Sequence, residues 1–118
     1  MYTDFTQMPV WKKMMDIAVD VFYLSDNLPK REDYALTSQI RRSAESISSN
    51  IAEGFGPSGN KDKTIFYKFA RGSAFETKNH LIYGTLVKYF PDDQSASLIS
   101  KIEAGIHELN KIIKTLER

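Results

Sequence analysis

The stretch Gln39-Ile-Arg-Arg-Ser-Ala-Glu-Ser-Ile-Ser-Ser-Asn-Ile-Ala-Glu-Gly-Phe-Gly56 constrains the fold of this chain more than any other segment. Leu36, Ile40, Ala44, Ile47, Ile51 and Phe55 recur at three- and four-residue steps, which is the spacing of one apolar helix face. Directly opposite lie Arg42, Ser46, Ser49 and Glu53, flanked by Gln39 and Asn50. Serine and asparagine are weak helix formers and gain nothing on a solvent face, where long Lys and Glu side chains do better. The second face is therefore expected to meet a closely packed neighbour.

Punctuation divides the rest into three more helical segments. Pro9 can open the first, whose apolar face is Trp11, Met14, Met15, Ala18, Val21, Phe22 and Leu28, before Pro29 stops it. The second begins between Glu32 and Thr37 and runs to Phe55, where Gly54, Gly56, Pro57 and Gly59 break it. Asn60 is the expected N-cap of the third, which continues to Phe90 before Pro91 and would be about 45 Å long at 1.5 Å per residue. Asp92 and Asp93 suit the positive start of the fourth and Lys111, Lys114 and Arg118 its negative end; its stripe is Leu98, Ile102, Ile106, Leu109, Ile113 and Leu116. No sustained alternation or hairpin dipeptide signals a strand. With short connections, residues 1–118 form a single domain, all-α, an antiparallel up-and-down four-helix bundle.

The third helix is apolar on two sides. Ile65, Phe66, Phe69, Tyr83 and Val87 read as the inward stripe, while Phe75, Ile82, Leu86 and Tyr89 lie on the far side among Arg71 and Lys78. One bundle covers only one stripe, and exposed apolar patches mark interfaces. A homo-oligomer follows, its interface expected at Ser46 and Ser49 or at Phe75, Ile82 and Tyr89.

Composition excludes several classes. There is no cysteine, which removes disulfides, thiolate zinc sites and thiol nucleophiles. No apolar run approaches the roughly 20 residues of a membrane span, and no signal peptide is visible, so a cytoplasmic protein without membrane contact is expected. Net charge is +1, yet Lys61, Lys63, Lys68, Arg71, Lys78 and Lys88 face only Asp62 and Glu76 across residues 61–88, a local excess of four. Asp4, Asp16, Asp20 and Asp26 against Lys12 and Lys13 give residues 1–29 the compensating acid. The six basic side chains interleave with Tyr67, Phe75 and Tyr89, a combination that neutralises phosphates and stacks on bases, and are the candidate nucleic-acid contacts for RNA or DNA. The same residues could line a subunit interface, where aromatics and arginine are favoured.

The segment Leu36 to Gly56, followed by Phe69-Ala-Arg-Gly-Ser-Ala-Phe-Glu76, with Val10-Trp11-Lys12, Leu28-Pro29, Glu32 and Tyr34, resembles a bacterial four-helix-bundle family first noticed in intervening sequences of large-subunit ribosomal RNA genes. The resemblance spans nearly the whole chain. It implies an antiparallel four-helix bundle that assembles as a ring-like homopentamer. Relatives in diversity-generating retroelements are strongly basic accessory proteins that bind nucleic acid and a reverse transcriptase. This chain departs from them in charge, and places Ser48 where relatives often have proline and Pro57 where they often have arginine.

Chemistry-bearing constellations are sparse. Glu76 and His80 stand four residues apart, as do Glu103 and His107, whereas di-iron bundles use a three-residue spacing. These pairs read as ion-paired or hydrogen-bonded side chains; no metal ligand or cofactor is expected. Ser43, Ser46, Ser48 and Ser49 lack the strained turn that exposes a nucleophile, and Gly54 to Gly59 lacks the lysine of a phosphate loop, so no catalytic residue is assigned and no enzyme is expected. The polar set Gln39, Arg42, Asn50, Glu53, Arg71 and Glu76 coincides with the most recognisable segments. Its structural reading is a buried network fixing helix register or subunit orientation; its functional reading is a partner site between the second and third helices. The combined expectation is a non-enzymatic, self-assembling bundle acting as a nucleic-acid-associated adaptor. The alternatives are a protein-binding scaffold without nucleic-acid contact and a small-molecule or metal-binding bundle centred on Glu76 and His80.

Overall fold

Prolines and glycines become the helix boundaries. In the computed structural model, which describes residues 1–56 and 59–118, a short 3-10 turn (Phe5–Gln7) precedes α1 (Pro9–Ser25) and another (Lys30–Glu32) precedes α2 (Leu36–Gly54). α3 (Asn60–Leu86) and α4 (Asp92–Leu116) complete the chain, and no strand occurs among the described residues. Pro57, one of the expected helix breakers, lies outside the described residues. The four helices form an antiparallel bundle of 44 × 23 × 20 Å. α1 and α3 each touch both α2 and α4, and neither diagonal pair makes contact, so α1 and α3 occupy opposite corners.

The core is built from the stripes that the helical period marks on α2 and α4 and from an α1 face that differs from the expected one. On α1, Val10, Ile17 and Leu24 are buried beside Met14 and Val21. Of the expected face, Trp11, Met15, Ala18 and Leu28 are half-buried, and Phe22, stacked under the Arg41 guanidinium, is exposed. Met14, Ile17 and Val21 of α1, Ile40, Ala44, Ile47 and Ile51 of α2, and Leu98, Ile102, Leu109 and Ile113 of α4 are buried. Each such aliphatic side chain contributes about 1.5–3 kcal/mol by leaving water.

α3 corrects the expectation. Its buried residues are Thr64, Tyr67, Ala70, Ala74, Thr77, Leu81 and Gly84. Of the stripe expected to point inward, Ile65, Phe69, Tyr83 and Val87 are exposed and Phe66 is half-buried. The reason is the closeness of α2. Ser43 accepts a hydrogen bond from the Thr77 hydroxyl at 2.9 Å, and Ser46 one from the Ser73 hydroxyl at 3.0 Å. Helices that near to one another admit alanine, serine and threonine between them, and of the large α3 side chains only Tyr67 and Leu81 are buried. The α3 contact thus accounts for the small residues at Ser43 and Ser46.

Two ends also differ from expectation. Gly59, not Asn60, is the N-cap residue of α3. The C-terminus comes at Leu86 rather than Phe90, because Lys88 adopts φ 70° and the Tyr89 and Phe90 amides return to the Gly84 carbonyl at 2.8 and 3.2 Å. At the end of α2, Lys63 Nζ donates to the carbonyls of Gly54, Phe55 and Gly56 at 3.1, 3.1 and 2.7 Å. An ammonium there satisfies orphan carbonyls and opposes the negative end of the helix dipole.

Candidate functional site

The polar set of α2 and α3 is spread along the bundle rather than joined. Gln39, Arg42, Glu53 and Glu76 are exposed, and Asn50 is half-buried, donating to the Ser46 carbonyl and hydroxyl at 2.9 and 3.0 Å. Arg71 reaches the other way, to the Asn110 side-chain oxygen of α4 at 2.8 Å. Glu76 Oε2 lies 3.2 Å from His80 Nε2 within its own helix. No hydrogen bond or ion pair links the six to one another among the described residues, so the expected buried network is absent within one chain. A buried ion pair is replaced by neutral hydroxyl contacts at Ser43, Ser46, Ser73 and Thr77, which need no charge desolvation.

The six candidate nucleic-acid contacts divide. Lys63 is committed to the α2 carbonyls, Lys68 pairs with Glu117 at 2.9 Å, Arg71 with Asn110, and Lys78 with Glu103 at 3.0 Å. Lys61 and Lys88 are exposed near opposite ends of α3, about 40 Å apart at 1.5 Å per residue. Tyr67 is buried against Gly54, and burial pushes its phenol up from the usual 10.0. Tyr89 is half-buried and donates to Glu32 at 2.9 Å, while Arg31 donates to the Tyr89 hydroxyl at 3.3 Å. That hydrogen bond holds the Arg31 guanidinium above its ordinary pKa. The aromatic and basic groups therefore do not form one continuous free stripe on a single chain.

The titratable pairs are equally dispersed. Glu103 turns to Lys78 instead of His107, and no cluster of three potential metal ligands occurs among the described residues. Ser43 and Ser48 donate to the carbonyls of Ile40 and Glu45 at 3.2 and 3.1 Å, the ordinary resting bonds of mid-helix serine.

What the outer surface offers instead is apolar area. On α3 the exposed large side chains are Ile65, Phe69, Phe75, Ile82, Tyr83, Leu86 and Val87, with Leu86 at 73% exposure. On the opposite corner α1 exposes Val19, Phe22 and Tyr23. Met15, Ala18, Val19 and Phe22 line a groove of ≈ 510 Å³ between α1 and α2, bounded by Arg41 and Glu45. Ile82, Leu86, Ala96 and Ile99 line a shallower apolar groove between α3 and α4. Ser49 of the expected interface is half-buried, and Phe75 and Ile82 are exposed.

The model of the family described as 23S rRNA-intervening sequence protein matches residues 6–114. The chain belongs to that family. A crystal structure of a protein of unknown function from the S23 ribosomal protein family of Bacteroides thetaiotaomicron is similar over 89% of this chain and 98% of that one, with 26% identity and a TM-score of 0.82. No curated protein matches. The antiparallel bundle that the resemblance implied is the architecture observed, and no described helix is long and apolar enough to cross a membrane.

Sequence reasoning missed Arg41. Its guanidinium donates to Ser25 Oγ at 2.7 Å, the Phe22 carbonyl at 3.1 Å and Asp26 at 2.7 Å, and stacks 4.2 Å from the Phe22 ring centroid. It fastens the C-terminus of α1 to α2 and forms one wall of the α1/α2 groove. The adjacent arginines 41 and 42 were the only available signal, and adjacency alone does not say which one turns inward.

Proposed function

We propose that this family member is a non-enzymatic, self-assembling helical scaffold whose copies form the ring of five that the resemblance implies. The observation that carries the reading is the exposed apolar side chains on two opposite corners, Val19 and Phe22 on α1 and Phe75, Ile82 and Leu86 on α3. A monomer gains nothing from these residues, and patches of this kind are the ordinary mark of a protein interface. The reading gains further support from α3 itself, which places Ala70, Ala74 and Thr77 inward and Phe69, Phe75 and Tyr83 outward. Light scattering coupled to size-exclusion chromatography tests it. The expected mass is five times the 13.5 kDa of one chain. A 13.5 kDa species throughout the micromolar range would refute self-assembly.

The nucleic-acid adaptor reading has less support, since Lys63, Lys68, Arg71 and Lys78 hold partners on their own chain. Structured RNA added to the same experiment at two salt concentrations separates the readings. Co-elution at low salt that is lost at high salt would favour the adaptor, because phosphate contacts release counterions. Indifference to RNA would favour a scaffold for partner proteins.

A further inference from the structure

We propose that copies of this chain join head to tail: the α1/α2 groove of one copy receives the exposed ridge Phe75, Ile82 and Leu86 of the next. This rests on the self-assembly reading above and specifies which two surfaces meet.

Opposite placement is the first argument. α1 and α3 sit at opposite corners, so the α1/α2 groove and the α3/α4 groove open on opposite sides of the bundle. A two-fold dimer uses one patch against its own copy and leaves the other in water. Covering both requires a heterologous contact, in which each copy gives one surface and receives the other.

Height is the second. Lys101 of α4 lies 3.8 Å from Asp20 of α1, and Glu103 of α4 lies 3.0 Å from Lys78 of α3. These pairs set Asp20 level with the neighbourhood of Lys78. Met15 to Phe22 therefore lie beside Phe75 to Ile82 in elevation, on the other side of the bundle. Two patches at one level can join successive copies without a rise along the bundle axis, which a closed ring requires and a helical fibre does not.

Charge decides between this contact and α3 against α3. With the intrachain pairs Lys68–Glu117 and Lys78–Glu103 set aside, residues 61–88 keep Lys61, Lys63, Arg71 and Lys88 against Asp62 and Glu76. With Lys13–Glu108, Lys101–Asp20 and Arg41–Asp26 set aside, residues 1–29 keep Asp4 and Asp16 against Lys12. Packing α3 on a second α3 sets like charge against like. Packing it on the α1 side of a neighbour sets basic against acidic, which favours encounter and orientation. Gly72 adds a local detail: it lies exposed between Phe69 and Phe75, and a Cβ built there meets nothing within 4 Å on its own chain. A glycine in mid-helix with no packing reason in the monomer leaves room for a neighbour's close approach.

The test uses two surface variants of the full chain. One carries Val19→Glu and Phe22→Glu, the other Phe75→Glu and Ile82→Glu, all at positions between 42% and 54% exposed. Each variant alone should fall to the 13.5 kDa monomer, and an equimolar mixture should give a species of twice that mass, because each retains the surface the other lacks. If either variant keeps the full wild-type mass, or the mixture stays monomeric, the head-to-tail pairing is wrong although self-assembly stands. A monomeric wild type would instead remove the self-assembly reading itself. Should a double variant lose helicity by circular dichroism, cross-linking replaces it. The chain has no cysteine, so Val19→Cys with Ile82→Cys supplies the only thiols for a short bismaleimide. A ladder extending beyond the dimer supports head-to-tail contact; dimers alone overturn it.

Discussion

Gly84 holds the turn that ends α3, and replacing it with alanine tests that geometry directly. A Cβ at this position would penetrate the Phe90 ring, falling inside van der Waals contact of Cδ2 and Cε2 and 3.2 Å from Cζ. Phe90 is 3% exposed, and its amide and that of Tyr89 both return to the Gly84 carbonyl, so the ring cannot move without loosening the chain reversal. Overpacking of this kind costs about 1–3 kcal/mol. Alanine in place of a helical glycine gives back up to about 1 kcal/mol. The net expectation for Gly84→Ala is a loss of about 1–2 kcal/mol, or about 3–8 °C in Tm for a chain of this size. Denaturant unfolding followed by circular dichroism at fixed protein concentration measures it, since linked assembly makes apparent stability concentration-dependent. Two controls sharpen the result. Gly72→Ala, with open space around its Cβ, should raise the stability of the dissociated chain by about 0.5–1 kcal/mol. In a Phe90→Ala background the ring is gone, and Gly84→Ala should change sign and stabilise. If Gly84→Ala is as stable as wild type, or its effect is unchanged without Phe90, the packing of Phe90 on Gly84 is refuted.

Three further outcomes are expected. Lys63→Met should destabilise by about 1–2 kcal/mol, because three carbonyls at the end of α2 lose a charged donor; a change below about 0.3 kcal/mol in chemical denaturation would show that the lysine does not cap the helix. Lys88→Gly should stabilise by about 0.5–1 kcal/mol by relieving the left-handed backbone at φ 70°, and a loss of Tm would argue that the Lys88 side chain contributes more than its backbone costs. Tyr67 gives a pH dependence. Its folded pKa lies above the usual 10.0 because burial disfavours the phenolate, so its contribution is fully present below that pH and is lost as pH rises through the folded value. Between about pH 8 and pH 11, Tyr67→Phe should lose less stability than wild type in parallel denaturation curves, and equal losses would exclude Tyr67 as a source of alkaline sensitivity.

The candidate surfaces were legible in part. Phe75 and Ile82 emerge from the sequence as a second apolar stripe, and both are exposed. The basic residues of α3 are equally visible, but their partners are not: Glu117, Glu103 and Asn110 come from a helix distant in sequence, and only the packed bundle brings them to Lys68, Lys78 and Arg71. Arg41 and Lys63 read as surface charges until the ends of α1 and α2 are placed beside them.

On its own, the sequence determined the number of helices, their approximate bounds, and the buried faces of α2 and α4, because a single stripe of large aliphatic residues has one way to leave water. On α1 it marked Met14 and Val21 but not Ile17 and Leu24. The tertiary structure decided α3. Hydrophobic periodicity assigns the core to the largest apolar side chains, yet the distance between α2 and α3 is set by Ser43 against Thr77 and Ser46 against Ser73. At that separation Ala70, Ala74 and Thr77 fit inward while Phe69, Tyr83 and Leu86 are left on the outside, and Tyr67 enters where Gly54 makes room for its ring.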